Sequence, residues 1–486
     1  MQPESGLFGA EQRKEVSFYN AALLMVLAAI LVPLWIVKYP GMVDYPNHLA
    51  RCYILAHYHD NPFWQQLYSL DRSPLPNLAI DLIVTPLLRI LPLIVAGKLF
   101  LSLAAVLYVV GCSKVGRAVT GKPNWLALIC ALTFYNSLLL YGFVNYIFGI
   151  GVLLCVLAFW LRIRNAMTPL RFLLLCLLSM VAFLAHLSSI VILGVACCTI
   201  ALIDFVRDRR FVSLPIKLAW LSSPILFVGG FLKKHSGQVG TIDWGSPSEK
   251  LIALLAPIRS YSAAMDVVLI VVLLLCAWAM LKGSKVHSTA IVSIVLFALV
   301  LITPKALWAS TGWGADARYV VPAYMLLILS IEPRWGRWQK AALAVALTAM
   351  VLRTGSITAN WLAISRRSEQ VLAMGKDLPA GARIYAMSFD TGTDMQSKLD
   401  RGFEHVIQFW TVSNGVEVSN LFAVPGSQPL LFRQPPCGGP DWTKCLASYD
   451  YVWTYDPPAS IRQDLVGIAV PAAAWERVTL WRVNGR

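Results

Sequence analysis

A short polar island, Met42-Val43-Asp44-Tyr45-Pro46-Asn47-His48-Leu49-Ala50-Arg51, directly follows an apolar run at 18–37. Ionisable groups where a chain leaves a bilayer are costly to desolvate, so they need a partner or a task. A carboxylate at position 44 has the chemistry to take a proton from a hydroxyl or to coordinate a divalent ion. His48 follows four residues on, so a helical stretch would put Asp44 and His48 on one face. The competing reading is purely local: Asp44 followed two residues later by Pro46 is a good helix start, with the carboxylate as cap.

Other chemistry-bearing groups are scattered. His48, His57, His59 and Asp60 lie close in sequence, and His and carboxylate ligands suit a metal. Their spacing matches no closed zinc site, so divalent-metal use stays open, beside a reading as interfacial surface residues. Lys233, Lys234, Arg259, Lys305 and Arg318 are cations suited to holding a phosphate. The alternatives are snorkelling toward lipid headgroups for the lysines and an ion pair with Asp316 for Arg318. Asp243 and Glu249 are second carboxylates or plain turn residues. Trp244, Trp308 and Trp313 fit an aromatic belt or a sugar-stacking surface. Cys437 and Cys445 flank a polar loop with Gly438, Gly439 and Pro440, and outside the cytoplasm they would form a disulfide.

These groups must be positioned by membrane helices. The chain is 57% apolar and only 14% charged, against roughly 25% charged in soluble domains. Twenty apolar residues cross a hydrocarbon core of about 30 Å. By that rule the chain has about eleven spans, near 18–37, 95–113, 124–142, 145–161, 169–185, 188–205, 216–232, 264–281, 287–303, 319–332 and 341–360. The net charge of +15 is no signature of nucleic-acid binding. Its basic residues cluster in short loops on alternate sides, the pattern that orients a polytopic protein. The first run lacks a cleavage pattern and reads as an uncleaved helix.

This orientation puts residues 1–17 in the cytoplasm. It places 38–94, 233–263, 304–318 and the tail from 361 outside. Segment 77–92 is apolar, but Asp81, Thr85 and Arg89 recur every four residues and Pro86 interrupts it. It reads as an interfacial helix rather than a span. The tail 361–486 is expected to be a small extracytoplasmic α/β domain, with strands at Arg383–Ser388, Tyr451–Tyr455 and Val478–Val483.

In this arrangement the chain resembles the GT-C glycosyltransferases, integral membrane enzymes related to protein O-mannosyltransferases and to the aminoarabinose transferase of lipid A. That family places an acidic residue in the first outer loop, as Asp44 is placed, and follows it with interfacial helices, as at 77–92. Asp316-Ala317-Arg318-Tyr319-Val320-Val321-Pro322 is similar to its late basic–aromatic–proline motif. The chain departs from the family at Tyr141-Gly142-Phe143-Val144-Asn145-Tyr146, where members often carry a second acid. The resemblance implies a polytopic membrane all-α bundle over 18–360 in the inner (plasma) membrane, with the C-terminus outside. It implies a polyprenyl-phosphate-linked sugar donor and a glycan, lipid or protein acceptor at the outer face. The expected chemistry is one inverting displacement. In it Asp44 serves as base with His48 in support, and Arg318, with Lys233, Lys234 or Arg259, meets the donor phosphate. Arg51, Tyr45 and Trp313 touch acceptor or sugar. Two other classes compete: a transporter or flippase of a lipid-linked or anionic substrate, and a non-enzymatic scaffold or sensor.

Overall fold

The computed structural model describes residues 5–208, 213–225, 227, 242–306, 313–389, 405–436 and 442–485. Among them are 6 helices long and apolar enough to cross a membrane: Gln12–Ile36, Leu93–Thr120, Val144–Ile163, Leu187–Arg207, Ala263–Leu281 and Arg337–Met374. Leu126–Tyr141, Pro169–Ala185, Ala290–Ile302 and Ala317–Leu329 are shorter apolar helical segments. Ten of the expected spans thus fall on helices. Of the eleventh, 216–232, the described residues 216–225 and 227 hold the end of the short helix Ser213–Leu218 and the 3-10 helix Ala219–Ser222. Helices satisfy their own backbone groups, which is what a hydrocarbon environment demands.

The chain divides into two compact units. One gathers Met1–Ile36, Leu101–Leu139 and Val144–Ile357; the other gathers Val37–Phe100, Leu140–Phe143 and Thr358–Arg486. In the first unit, Val144–Ile163 is the central helix: 83% of its apolar window is buried, against 22% for Ala263–Leu281. The difference assigns Ala263–Leu281 to the periphery, where Val267, Val268, Leu274 and Leu275 are exposed. Small residues let the central helix pack closely. A methyl group on Gly151 would lie 2.7 Å from Leu107 Cβ, and one on Gly111 would lie 2.6 Å from Leu154 Cβ. The segment expected as the span 124–142 is broken. Leu126–Leu132 ends, and Ser137–Tyr141 restarts because buried Asn136 accepts hydrogen bonds from the Leu138 and Leu139 amides at 3.1 and 3.2 Å.

The second unit joins residues 37–100 to the tail. Its sheet runs in the order Glu417–Val418, Arg383–Ser388, Tyr451–Tyr455, Val478–Val483, Ala469–Trp475. The first three strands are parallel and the last two antiparallel to their neighbours. The three expected strands appear with the expected limits, and both edge strands are additions. Tyr449, Val452, Leu465 and Trp481 form part of the core beneath. A second core packs Ala50, Ile54, Trp64 and Tyr68 with Leu421, Ala423 and Leu430. An antiparallel pairing of Tyr68–Leu70 with Leu430–Phe432 locks the same two stretches together. Segment 77–92 contains only the nine-residue helix Ala79–Leu87, too short to span, with Leu82 and Ile90 exposed.

Candidate functional site

Asp44 sits at the start of the helix Tyr45–His57, at the cap position, but its carboxylate makes no cap hydrogen bond. The local reading of this residue as a helix cap therefore fails on geometry. Pro46 in the first turn starts the helix without it. The backbone here is pinned from the turn at 140–143: the Val43 amide donates to Leu140 O at 3.2 Å and the Asp44 amide to Tyr141 O at 3.0 Å. Such close passage requires glycine at 142. Its φ is +104°, and a Cβ there would lie 2.7 Å from Asp44 N and 2.8 Å from Asp44 Cβ. The loop that lacks a second acid thus holds the first one in place.

The Asp44 carboxylate faces a residue that the sequence reading did not single out. His405 Nε2 lies 3.6 Å from Asp44 Oδ1, and both side chains are largely buried. His405 Nδ1 lies 3.4 Å from Asn47 Nδ2 and 3.3 Å from Asn420 Nδ2. Asn47 donates to Asn420 O at 2.8 Å and accepts from the Phe422 amide at 2.6 Å. Gln408 donates to Asn420 Oδ1 at 2.6 Å. The Phe422 ring meets both His48 and His405 edge-on at 5.5 Å. His48 does share this neighbourhood, but its Nδ1 is buried without a hydrogen-bond partner. Burial, then the nearby charge of Arg51, holds its imidazole well below the ordinary histidine range. It is a neutral ring at neutral pH.

Of the residues expected to touch acceptor or sugar, Arg51 is engaged elsewhere. Arg51 is fully buried and binds Asp81 two-pronged, Nε to Oδ1 at 2.7 Å and Nη2 to Oδ2 at 2.9 Å. This fork fastens Tyr45–His57 to Ala79–Leu87 and occupies the guanidinium. The Tyr45 hydroxyl is buried without a hydrogen-bond partner, and a methyl group on Gly97 would meet it at 2.2 Å. Asp60 pairs with Arg89 at 2.5 Å and with His57 at 3.8 Å. Among the described residues no three His, Cys, Asp or Glu side chains group as metal ligands.

The expected cations belong mostly to the other unit. Lys305 is taken up by Glu249 at 2.5 Å and Asp243 at 3.7 Å. Glu249 also closes a capping box with Ser246. Its hydrogen bond from Lys305, with that from the Ser246 amide, lowers its carboxyl to about 2. Asp316 pairs with buried Lys250 at 2.7 Å and caps the Ala317 amide. Arg318 is half-buried. It donates through Nη2 to Trp313 O at 3.0 Å, and its own carbonyl accepts from the Tyr146 hydroxyl at 2.7 Å. Tyr146 packs edge-on against His186 at 5.5 Å, whose Nδ1 accepts from the Ser188 amide. The Arg259 carbonyl is held by buried Arg353, which also binds the carbonyls of Ile258 and Tyr135. Lys233, Lys234 and Cys437 lie outside the described residues, as does Trp308. Cys445 is disulfide-bonded, while the eight other described cysteines are free.

The chain is a many-helix membrane bundle with a carboxylate after its first long apolar helix, a short helix at Ala79–Leu87 and a small sheet-bearing C-terminal region. One solved structure sharing the fold is ArnT from Cupriavidus metallidurans in the apo state. The TM-score is 0.55 at 12% identity, over 96% of this chain and 98% of that one. At that identity the likeness is one of fold. No family model matches the sequence, and no curated protein matches it.

Proposed function

We propose that this chain is a membrane glycosyltransferase that moves a sugar from a polyprenyl-phosphate donor to an acceptor at the outer face of the membrane. The observation that carries the reading is Asp44. It is a carboxylate immediately after the first span, released from capping duty, held by the tight turn at Gly142 and flanked by an imidazole. The ArnT-like fold supports the same class of activity.

In the proposed step the acceptor hydroxyl gives its proton to the Asp44 carboxylate as its oxygen bonds to the anomeric carbon. The bond from that carbon to the donor phosphate breaks in line and takes its electron pair with it. The configuration inverts, and polyprenyl phosphate leaves with one more negative charge. A cation near the leaving phosphate would offset that charge. His48, neutral and lacking a partner at Nδ1, packs beside the base and takes no proton in this scheme.

The test uses the full chain in lipid nanodiscs, with polyprenyl-phosphate-linked pentoses and hexoses as donors. An envelope extract supplies lipid, glycan and protein acceptors, and the readout is release of polyprenyl phosphate coupled to sugar transfer. Asp44→Asn should abolish release while donor binding persists. Near-normal release by a folded Asp44→Asn variant refutes the base assignment. Movement of donor across vesicles without bond cleavage would favour a flippase instead.

A further inference from the structure

The amides around His405 decide which nitrogen carries its proton. Asn47 is oriented by two backbone groups, since its Oδ1 accepts from the Phe422 amide and its Nδ2 donates to Asn420 O. Its NH2 group therefore points at His405 Nδ1. Asn420 is oriented likewise, because Gln408 donates to its Oδ1 and leaves its NH2 group facing the same Nδ1. A ring nitrogen confronted by two donors must accept, so the proton of a neutral ring sits on Nε2. Nε2 is the nitrogen that faces Asp44 Oδ1.

We propose that His405 is the positioning residue of this site: a neutral imidazole, locked with its proton on Nε2, that aims the Asp44 carboxylate at the acceptor hydroxyl. This rests on the transferase reading above and extends it to a residue 358 positions beyond Asn47. The neutral form matters. A full positive charge beside Asp44 would favour its ionised form and make it a poorer base. A charged ring would also have to place an Nδ1 proton against two amide donors. An Nε2–H contact orients the carboxylate without that cost. At 3.6 Å it is longer than a formed hydrogen bond, as catalytic contacts are before the loaded complex tightens them. Edge-on packing against Phe422 holds the ring plane.

The experiment has two arms on the full chain in nanodiscs. Nitrogen NMR of histidine-labelled protein, with His405 assigned by its loss in His405→Gln, should report a neutral ring protonated at Nε2. Asn420→Asp replaces one donor by an acceptor and should draw a proton onto Nδ1. In the kinetic arm, His405→Ala should lower kcat by up to about 10²-fold, the loss expected from a misaimed reacting group, with KM little changed. His405→Gln, whose amide NH2 reaches the place of Nε2–H, should restore most of it. A charged or Nδ1-protonated ring in the wild type overturns the proposal. So does wild-type kcat in His405→Ala, or a His405→Gln variant as slow as the alanine. A wild-type chain that releases no polyprenyl phosphate from any donor defeats the transferase reading itself, which these variants do not decide.

Discussion

Gly142→Ala is the sharpest single perturbation of the candidate site, because residue 142 touches the backbone of Asp44 and none of the proposed chemistry. The new methyl group would stand 2.7 Å from Asp44 N, 2.8 Å from its Cβ and 3.0 Å from its Cα. These are backbone-anchored atoms, held by the hydrogen bonds from the Asp44 amide to Tyr141 O and from the Val43 amide to Leu140 O. A flexible neighbour could swing away, but these cannot. The φ of +104° adds strain of about 1–3 kcal/mol for a residue with a side chain. Overpacking adds roughly 1–3 kcal/mol more. The cheapest relief is a shift of Asp44 by a large fraction of an ångström, and displacement of a reacting group by about 1 Å costs about 10²-fold in rate. Gly121→Ala is the matched control: its φ is +76°, but nothing lies within 4 Å of the added methyl. Both variants should lose thermal stability through strain. Only Gly142→Ala should also lose polyprenyl-phosphate release by roughly two orders of magnitude. Equal kcat in the two variants would refute the claim that the turn at 142 sets the position of Asp44.

Three further outcomes follow from the same geometry. Arg51→Ala strands the buried Asp81 carboxylate and should cost about 3–5 kcal/mol in thermal unfolding, while Arg51→Met combined with Asp81→Leu should recover much of it. His48 has a lowered folded pKa, so the unfolded chain takes the proton first. Unfolding measurements should show stability full above about pH 6.5 and falling below it, and His48→Gln should flatten that dependence. Glu249 is held at about 2 by Lys305 and Ser246. Its contribution should be present above the ordinary glutamate range and be lost as pH falls toward 2. Glu249→Gln should remove that slope, modestly, because the pair is partly exposed.

The membrane architecture was legible in the sequence because partition into lipid adds up residue by residue along a local window. Val144–Ile163, Pro169–Ala185 and Ala263–Leu281 begin and end within a residue or two of the apolar runs that announce them. Strands Arg383–Ser388, Tyr451–Tyr455 and Val478–Val483 were legible for a similar reason, β-branched and aromatic residues in short runs. Where a side chain overrides the window, the reading slipped. Asn136 breaks the segment at 124–142. The helix expected to end near 360 runs on to Met374, past residues whose polarity says nothing about where a helix must stop.

For the site, composition and spacing picked out Asp44 but left it three roles: base, ligand to a divalent ion, or cap. Tertiary structure decided against the cap by supplying His405, Asn47, Asn420 and the turn at Gly142 around it. It likewise turned Arg51 and Asp81, read separately in sequence, into one buried ion pair. The physical reason is range. Hydrophobic partition acts within a span, whereas a hydrogen bond between residues hundreds of positions apart exists only once the chain has packed, and no local window contains both ends of it.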